Sequence, residues 1–304
     1  MISKVIKDTP TLIVITGPTA SGKSALAVDV AERLNTDIIS ADSRQVYQGI
    51  PIVTAMPTAE ERERVRHHLI DMLPLDAYYS AAEFERDSLY LTRRLLAERG
   101  VAVACGGSMM YVDALCHGID DLPTVPDTIR NGLKEETETK GAEWLLAELE
   151  RLDPEYHAVV DRQNTKRVFH AVEIIRTAGV TYTSLRTGRR KERDFRILKI
   201  CLEAPRELLF DRINRRVDAM VEQGLEEEAR RVYPQRNLNS LNTVGLKEMF
   251  AWFDGLMDRH TAIERIKKNT RVYAKKQITW RRRENDWHRI DIRDISRDTI
   301  INLL

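Results

Sequence analysis

Over its first third the chain alternates short, unbroken apolar runs with longer amphipathic stretches. Leu12-Ile13-Val14-Ile15-Thr16 and Val101-Ala102-Val103-Ala104-Cys105 have strand length and almost no polar positions, as a strand covered on both faces requires. Asp37–Ser40 and a short piece at His68–Asp71 are further strand candidates. Lys23–Leu34, Ala59–Arg66 and Ala81–Arg99 space their apolar residues at helical intervals and predict helices. Such alternation predicts an α/β fold, a parallel sheet flanked by helices. Ligands of these sheets bind beyond the carboxyl ends of the strands, where Gly17–Ser24, Asp42–Tyr47 and Gly106–Ser108 fall.

The pattern changes at Asp120-Asp121-Leu122-Pro123-Thr124-Val125-Pro126, where two prolines interrupt any regular element. From there to about Arg190 only helical periodicity remains, which predicts an inserted all-helical lobe. Phe195–Leu202 then reads as a buried strand, Arg206–Met220 as a helix, His260 to Arg283 as a long basic helix and His288–Ile292 as a last strand. The expected organisation is a core formed by 1–120 and 191–304, with 121–190 inserted.

Charge adds information only through its distribution. The chain has 48 Lys and Arg against 47 Asp and Glu, a net charge of +1 that selects no partner. Within the last helix, however, Arg265, Lys267, Lys268, Arg271, Lys275, Lys276, Arg281, Arg282 and Arg283 outnumber Glu264 and Glu284. With Tyr273 and Trp280 interleaved, they suit a surface that follows a nucleic-acid backbone; a solvated helix face is the alternative. Three cysteines without metal or redox spacing, no secretory leader and no apolar run of about 20 residues predict a cytoplasmic chain without a membrane role.

The sharpest motif is Gly17-Pro18-Thr19-Ala20-Ser21-Gly22-Lys23-Ser24, between a strand and a helix. Its glycines let successive backbone N–H groups converge on oxyanions, and the helix N-terminus adds partial positive charge. Lys23 supplies a mobile cation, and the Ser24 hydroxyl is the candidate ligand for Mg²⁺. Asp42 follows the second strand, as a general base, a turn cap or an outer metal ligand. These residues leave a kinase, an NTPase or another handler of diphosphates open.

Further motifs follow in order: Asp42-Ser43-x-Gln45-x-Tyr47, Pro51–Pro57, His67–Asp71, Tyr79–Phe84, Gly106-Gly107-Ser108, Asn164–Glu173, Arg216 to Met220 with Gly224, Thr243-Val244-Gly245 and Tyr273–Trp280. With these the chain resembles the tRNA dimethylallyltransferases along essentially its whole length. The resemblance implies transfer of a dimethylallyl group from its diphosphate to the exocyclic amine of the adenosine 3′ of the anticodon. It further implies Asp42 as base, Arg216 with Gly17–Ser24 as the diphosphate grip, and Ser108, where the family usually has Thr, as the residue placing the amine. Ser43, Arg44, Gln45, Arg130, Lys166, Arg167, Val168, Phe169 and His170 are implied as contacts to the tRNA anticodon stem-loop, joining Asp42 and Ser108. A monomer with Mg²⁺ as cofactor is the expectation. The chain departs from the family pattern at Val53, Met56, His170 and Leu246-Lys247-Glu248, positions associated with RNA contact or its neighbourhood.

Three rivals remain at this level. A small-molecule kinase would use the loop for ATP and Asp42 to activate a hydroxyl. An enzyme prenylating free adenine nucleotides would not need the basic helix, and a nucleotide-gated RNA-binding switch would not need Asp42 or Arg216.

Overall fold

The structure, a computed structural model, describes residues 9–304. In chain order its elements are β1 Thr11–Thr16, α1 Lys23–Leu34, β2 Ile38–Ser40, α2 Ala59–Arg64, β3 His67–His68, α3 Ala81–Arg99, β4 Val101–Cys105 and α4 Met109–His117. Four helices follow, α5 Asp127–Leu152, α6 Pro154–Val159, α7 Thr165–Ala178 and α8 Tyr182–Leu185. The chain then forms β5 Arg196–Glu203, α9 Arg206–Glu222, α10 Leu225–Val232, α11 Leu246–Phe253, α12 Arg259–Arg281, β6 His288–Asp291 and α13 Arg297–Ile301. Two compact units result, one of the residues up to His117 with Arg193–Leu304, the other Gly118–Glu192.

The larger unit is built on a six-stranded sheet of order β3-β2-β4-β1-β5-β6, parallel at every pairing. The apolar run of β1 divides between two cores because successive side chains leave a strand on opposite faces. Ile13 and Ile15 join α1 residues Leu26, Ala27, Val30 and Ala31 on one face. Leu12 and Val14 join Phe84, Leu91 and Leu95 of α3 and Val112 and Leu115 of α4 on the other. A third core, from Val46, Tyr47 and Ile50 to Leu246, Met249 and Ile266, gathers α9 to α12 beyond the carboxyl ends of the strands.

Local chemistry sets several boundaries. Ser80 and Glu83 form a reciprocal cap at the start of α3, and Gly100 ends it in the left-handed conformation at φ 73°. Two predicted elements are shorter than expected. Helix α2 stops at Arg64 because Val65 is extended. Strand β3 covers only His67 and His68, since Leu69 and Asp71 turn left-handed at φ 60° and 49° and leave the extended path. The segment between α9 and α12, for which periodicity predicted nothing, forms α10, α11 and two 3-10 turns.

The smaller unit contains only helices among its described residues. Its core is Leu133, Leu145, Leu149, Tyr156, Val168, Ala171, Val172 and Ile175. Gly141, at φ 86°, interrupts α5. Gly118 and Lys191, at its two ends, are packed together: a Cβ on Gly118 would lie 2.6 Å from the Lys191 side chain. No described helix is long and apolar enough to cross a membrane.

Candidate active site

The phosphate loop occupies the turn between β1 and α1, at the centre of the sheet. Ala20 and Gly22 are left-handed, at φ 64° and 87°, a succession that turns backbone N–H groups toward one side. Gly22 also serves as the N-cap of α1 without any side-chain cap bond. The first-turn amides therefore have neither a carbonyl one turn behind nor a capping oxygen, and Ser24 and Ala25 are exposed. Two loop amides are committed within the protein instead. Ser21 N–H donates to the Pro18 carbonyl at 3.2 Å, and Thr19 N–H donates to Gln277 Oε1 at 2.9 Å. The amides of the motif left without a partner inside the protein are thus those at its helix end. The Ser21 hydroxyl is buried without a hydrogen-bond partner, against Gly17 and Leu202.

Two cations face this turn. Burial holds the Lys23 ammonium below the ordinary lysine value; Cys105 and Asp42 act against that, and the Arg216 charge reinforces it. Burial likewise lowers Arg216, with Asp42 and Glu61 opposing. Arg216, on α9, donates from Nη1 to Thr19 Oγ1 at 3.4 Å. Excess positive charge held out of water here is a cost that an arriving polyanion removes.

Asp42 lies just past β2, and its Oδ1 accepts the Arg44 N–H at 2.9 Å, fixing a local turn. Ser108 follows β4. Its Oγ accepts Ser43 N–H at 2.8 Å and donates to Ser43 Oγ at 3.1 Å. On α12, burial pushes the Tyr273 phenol up to about 12. The preceding glycines are required by close approach. A Cβ on Gly106 would stand 2.1 Å from the Ala41 carbonyl oxygen, and one on Gly107 2.4 Å from Gln277 Nε2.

Thr19, Asp42, Ser108 and Arg216 line one cavity of about 560 Å³. Thr19 of the phosphate loop, Arg216 and the candidate base Asp42 therefore face shared space. Apolar side chains not anticipated from the sequence, among them Val53, Val217, Met220, Val244 and Ile266, supply part of the wall. Their signal was invisible in one dimension, because they come from four separate segments. Lys276, Tyr273 and Asn269 add the polar side from α12.

Several residues expected at the RNA contact are bonded to other parts of the protein. The Arg44 guanidinium donates to the carbonyls of Asn239 at 2.8 Å and Ser240 at 3.1 Å, which ties down a loop. Gln45 does not line the cavity; its Nε2 donates to the Ala55 carbonyl at 3.0 Å, and its Oε1 accepts from Ser40 at 3.0 Å. In the helical unit, Lys166 and Arg167 are exposed at the start of α7. Val168 is only 1% exposed and belongs to that unit's core, with Phe169 packed against it. The helical period turns the Val168 side chain inward, which leaves only its backbone for the implied RNA contact. His170 Nδ1 lies 2.8 Å from Glu173, which also accepts from Arg130 Nε at 3.1 Å. Burial opposes ionisation of Glu173, but the bonds from His170 and Arg130 prevail and hold its carboxyl below the ordinary value.

The departures at 246–248 are also largely structural. Leu246 is fully buried, while Glu248 accepts Gly245 N–H at 2.7 Å and Asn269 Nδ2 at 2.7 Å. Lys247 and Glu248 do line the cavity. Val53 sits where Gly245 approaches; a Cβ there would meet Val53 Cγ2 at 2.4 Å. Helix α12 is less of an open basic face than its sequence suggests. Arg281 is buried and paired with Asp113 Oδ1 at 2.6 Å, and the Trp280 indole donates to Asp113 Oδ2 at 2.5 Å. Arg265, Lys268, Lys275, Lys276, Arg282 and Arg283 remain exposed.

The chain is similar to several known proteins. Residues 45–284 match the family model described as IPP transferase. The chain is 52% identical over 277 residues to tRNA dimethylallyltransferase 1 of Bacteroides thetaiotaomicron, covering 91% of this chain and 90% of that one. It is 52% identical over 273 residues to tRNA dimethylallyltransferase 2 of Parabacteroides distasonis, covering 90% and 91%. Among solved structures, the full-length tRNA isopentenylpyrophosphate transferase of Bacillus halodurans matches at TM-score 0.70 and 35% identity, over 97% of this chain and 94% of that one. A eukaryotic dimethylallyltransferase acting on tRNA matches at TM-score 0.79 and 26% identity, over 94% and 75%. The matched family segment begins after Asp42, so the phosphate loop is a feature read independently of it. By its family match, its relatives and its fold, the chain belongs to the IPP transferase family.

Proposed function

We propose that this protein transfers a dimethylallyl group from dimethylallyl diphosphate to the exocyclic amine of the adenosine 3′ of the anticodon in tRNA. The single observation that carries the reading is the shared cavity of Thr19, Asp42, Ser108 and Arg216. The names of the relatives supply the substrate class.

The adenine amine is a weak nucleophile because its lone pair is delocalised into the ring, so its proton must leave as the C–N bond forms. Asp42 accepts that proton. On the donor, the allylic C–O bond breaks and its electron pair goes to the diphosphate, which gains negative charge. Lys23, Arg216 and the open amides at the start of α1 stabilise that charge in place. Ser108 exchanges its bond to Ser43 Oγ for one to the purine, and the apolar wall receives the five-carbon unit. The purine reaches this depth only after leaving the anticodon-loop stack, as enzymes acting on base edges require.

Mg²⁺ fits the chemistry of the donor set. Among the described residues no group of three His, Cys, Asp or Glu could cage a cation, while Ser24 is an exposed residue in the first turn of α1, beside the loop. Magnesium characteristically keeps several waters and rides on phosphate oxygens with one or two protein ligands. When bound it would neutralise diphosphate charge, with Ser24 as its protein ligand.

The test is incubation with unmodified tRNA, Mg²⁺ and either dimethylallyl diphosphate or ATP, followed by mass spectrometry of the nucleosides. One five-carbon unit gained on adenosine is the expected result. Phosphate transfer from ATP, or no change in the tRNA, would overturn the assignment.

A further inference from the structure

Gln277 is buried in α12, only 4% exposed, yet its amide is used at both ends. Oε1 accepts the Thr19 N–H at 2.9 Å, and Nε2 donates to the Gly107 carbonyl at 2.9 Å. Thr19 lies in the phosphate loop and, through its hydroxyl, meets Arg216. Gly107 lies directly before Ser108. One side chain therefore joins the segment that grips the leaving group to the segment that places the acceptor. The contact is close enough that any Cβ at position 107 would meet Nε2 at 2.4 Å, so the glycine makes room for this amide. One turn earlier on the same helix, Tyr273 lines the same cavity as Ser108.

An amide is suited to this role because it presents an acceptor and a donor on one rigid plane. A carboxylate of the same length can accept from Thr19 but cannot donate to Gly107. A protonated carboxyl can do both. We infer that Gln277 is a positioning residue that sets the separation of the two half-sites, so that bound prenyl donor and bound adenine meet at reacting distance. This rests on the transfer reaction proposed above. Each half-site keeps its own ligands without Gln277, and what its loss changes is their register. Misplacement of about 1 Å between reacting groups can cost about 100-fold in rate.

Three quantities test this for Gln277→Glu and the unaltered protein: the single-turnover rate of prenyl transfer to tRNA, and the separate dissociation constants of dimethylallyl diphosphate and of tRNA. At pH 8 the rate should fall about 100-fold, while both dissociation constants stay within about threefold. The deficit should narrow as pH falls and the buried carboxyl takes up a proton, which restores the donor to Gly107. Gly107→Ala, which displaces the same amide from the other side, should show the same split and keeps the question decidable if the first variant does not fold. A rate loss under threefold, a parallel loss of affinity for either substrate, or a deficit indifferent to pH in Gln277→Glu would overturn the inference. If the unaltered protein itself transfers no prenyl group, the proposed reaction fails and this inference falls with it; if it does transfer, the variants judge Gln277 alone.

Discussion

At the scale of single residues, the site is built by making charged groups uncomfortable in advance of their ligand. Lys23 and Arg216 are both held below their ordinary values by burial, and each is near Asp42. In the proposed reaction a diphosphate would compensate both at once, most of all when the C–O bond has broken. Lys23→Ala should therefore lower the turnover number about 100- to 1,000-fold, the loss of about 3–4 kcal/mol typical of one aligned donor to a developing anion. Steady-state kinetics at saturating tRNA would measure it. An unchanged turnover number with only a raised KM would mean that Lys23 binds ground and transition states equally.

At the scale of elements, helix α12 is the brace of the site. Its buried positions Ile266, Ala274, Gln277 and Arg281 face inward, and Asp113 of α4 receives both Arg281 and Trp280. The loop between β4 and α4 is thereby fixed from one side by this helix and from the other by Ala41, whose carbonyl accepts Ser108 N–H at 3.2 Å. Gly106→Ala would drive a Cβ to 2.1 Å from that same backbone carbonyl, which has no freedom to yield. A destabilisation of about 3 kcal/mol is expected. Chemical denaturation would register it; a variant as stable as the unaltered protein would show that the loop is looser than its packing indicates.

At the scale of the whole molecule, the chain forms two units with separate cores. Residues 118–192 bury Leu133, Leu145 and Leu149 completely among themselves. Their two ends are held together by Lys191, which packs on Gly118 and pairs with Asp121 at 2.7 Å. A unit with its own core and adjacent ends can fold alone. Expressed by itself, 118–192 should unfold cooperatively on heating, as followed by far-UV circular dichroism; a broad, non-cooperative melt would contradict this.

The sequence by itself determined the elements whose signals are local. The apolar run of β1 and the Gly17–Ser24 turn needed no distant partner to be read, because strand burial and phosphate geometry act within a few residues. Asp42, Ser108 and Arg216 were singled out through motifs; that they line one cavity is a fact of the tertiary structure. Only the tertiary structure decided which polar groups were already spent inside the protein. Thr19 N–H is held by a glutamine 258 positions away, Arg44 by carbonyls nearly 200 positions away, and Arg281 by Asp113. Likewise Val168 stands in a basic run by sequence and in a core by structure. The physical reason is the same in each case: a side chain's type fixes what bonds it can make, whereas burial and long-range neighbours decide which of those bonds remain open to a substrate.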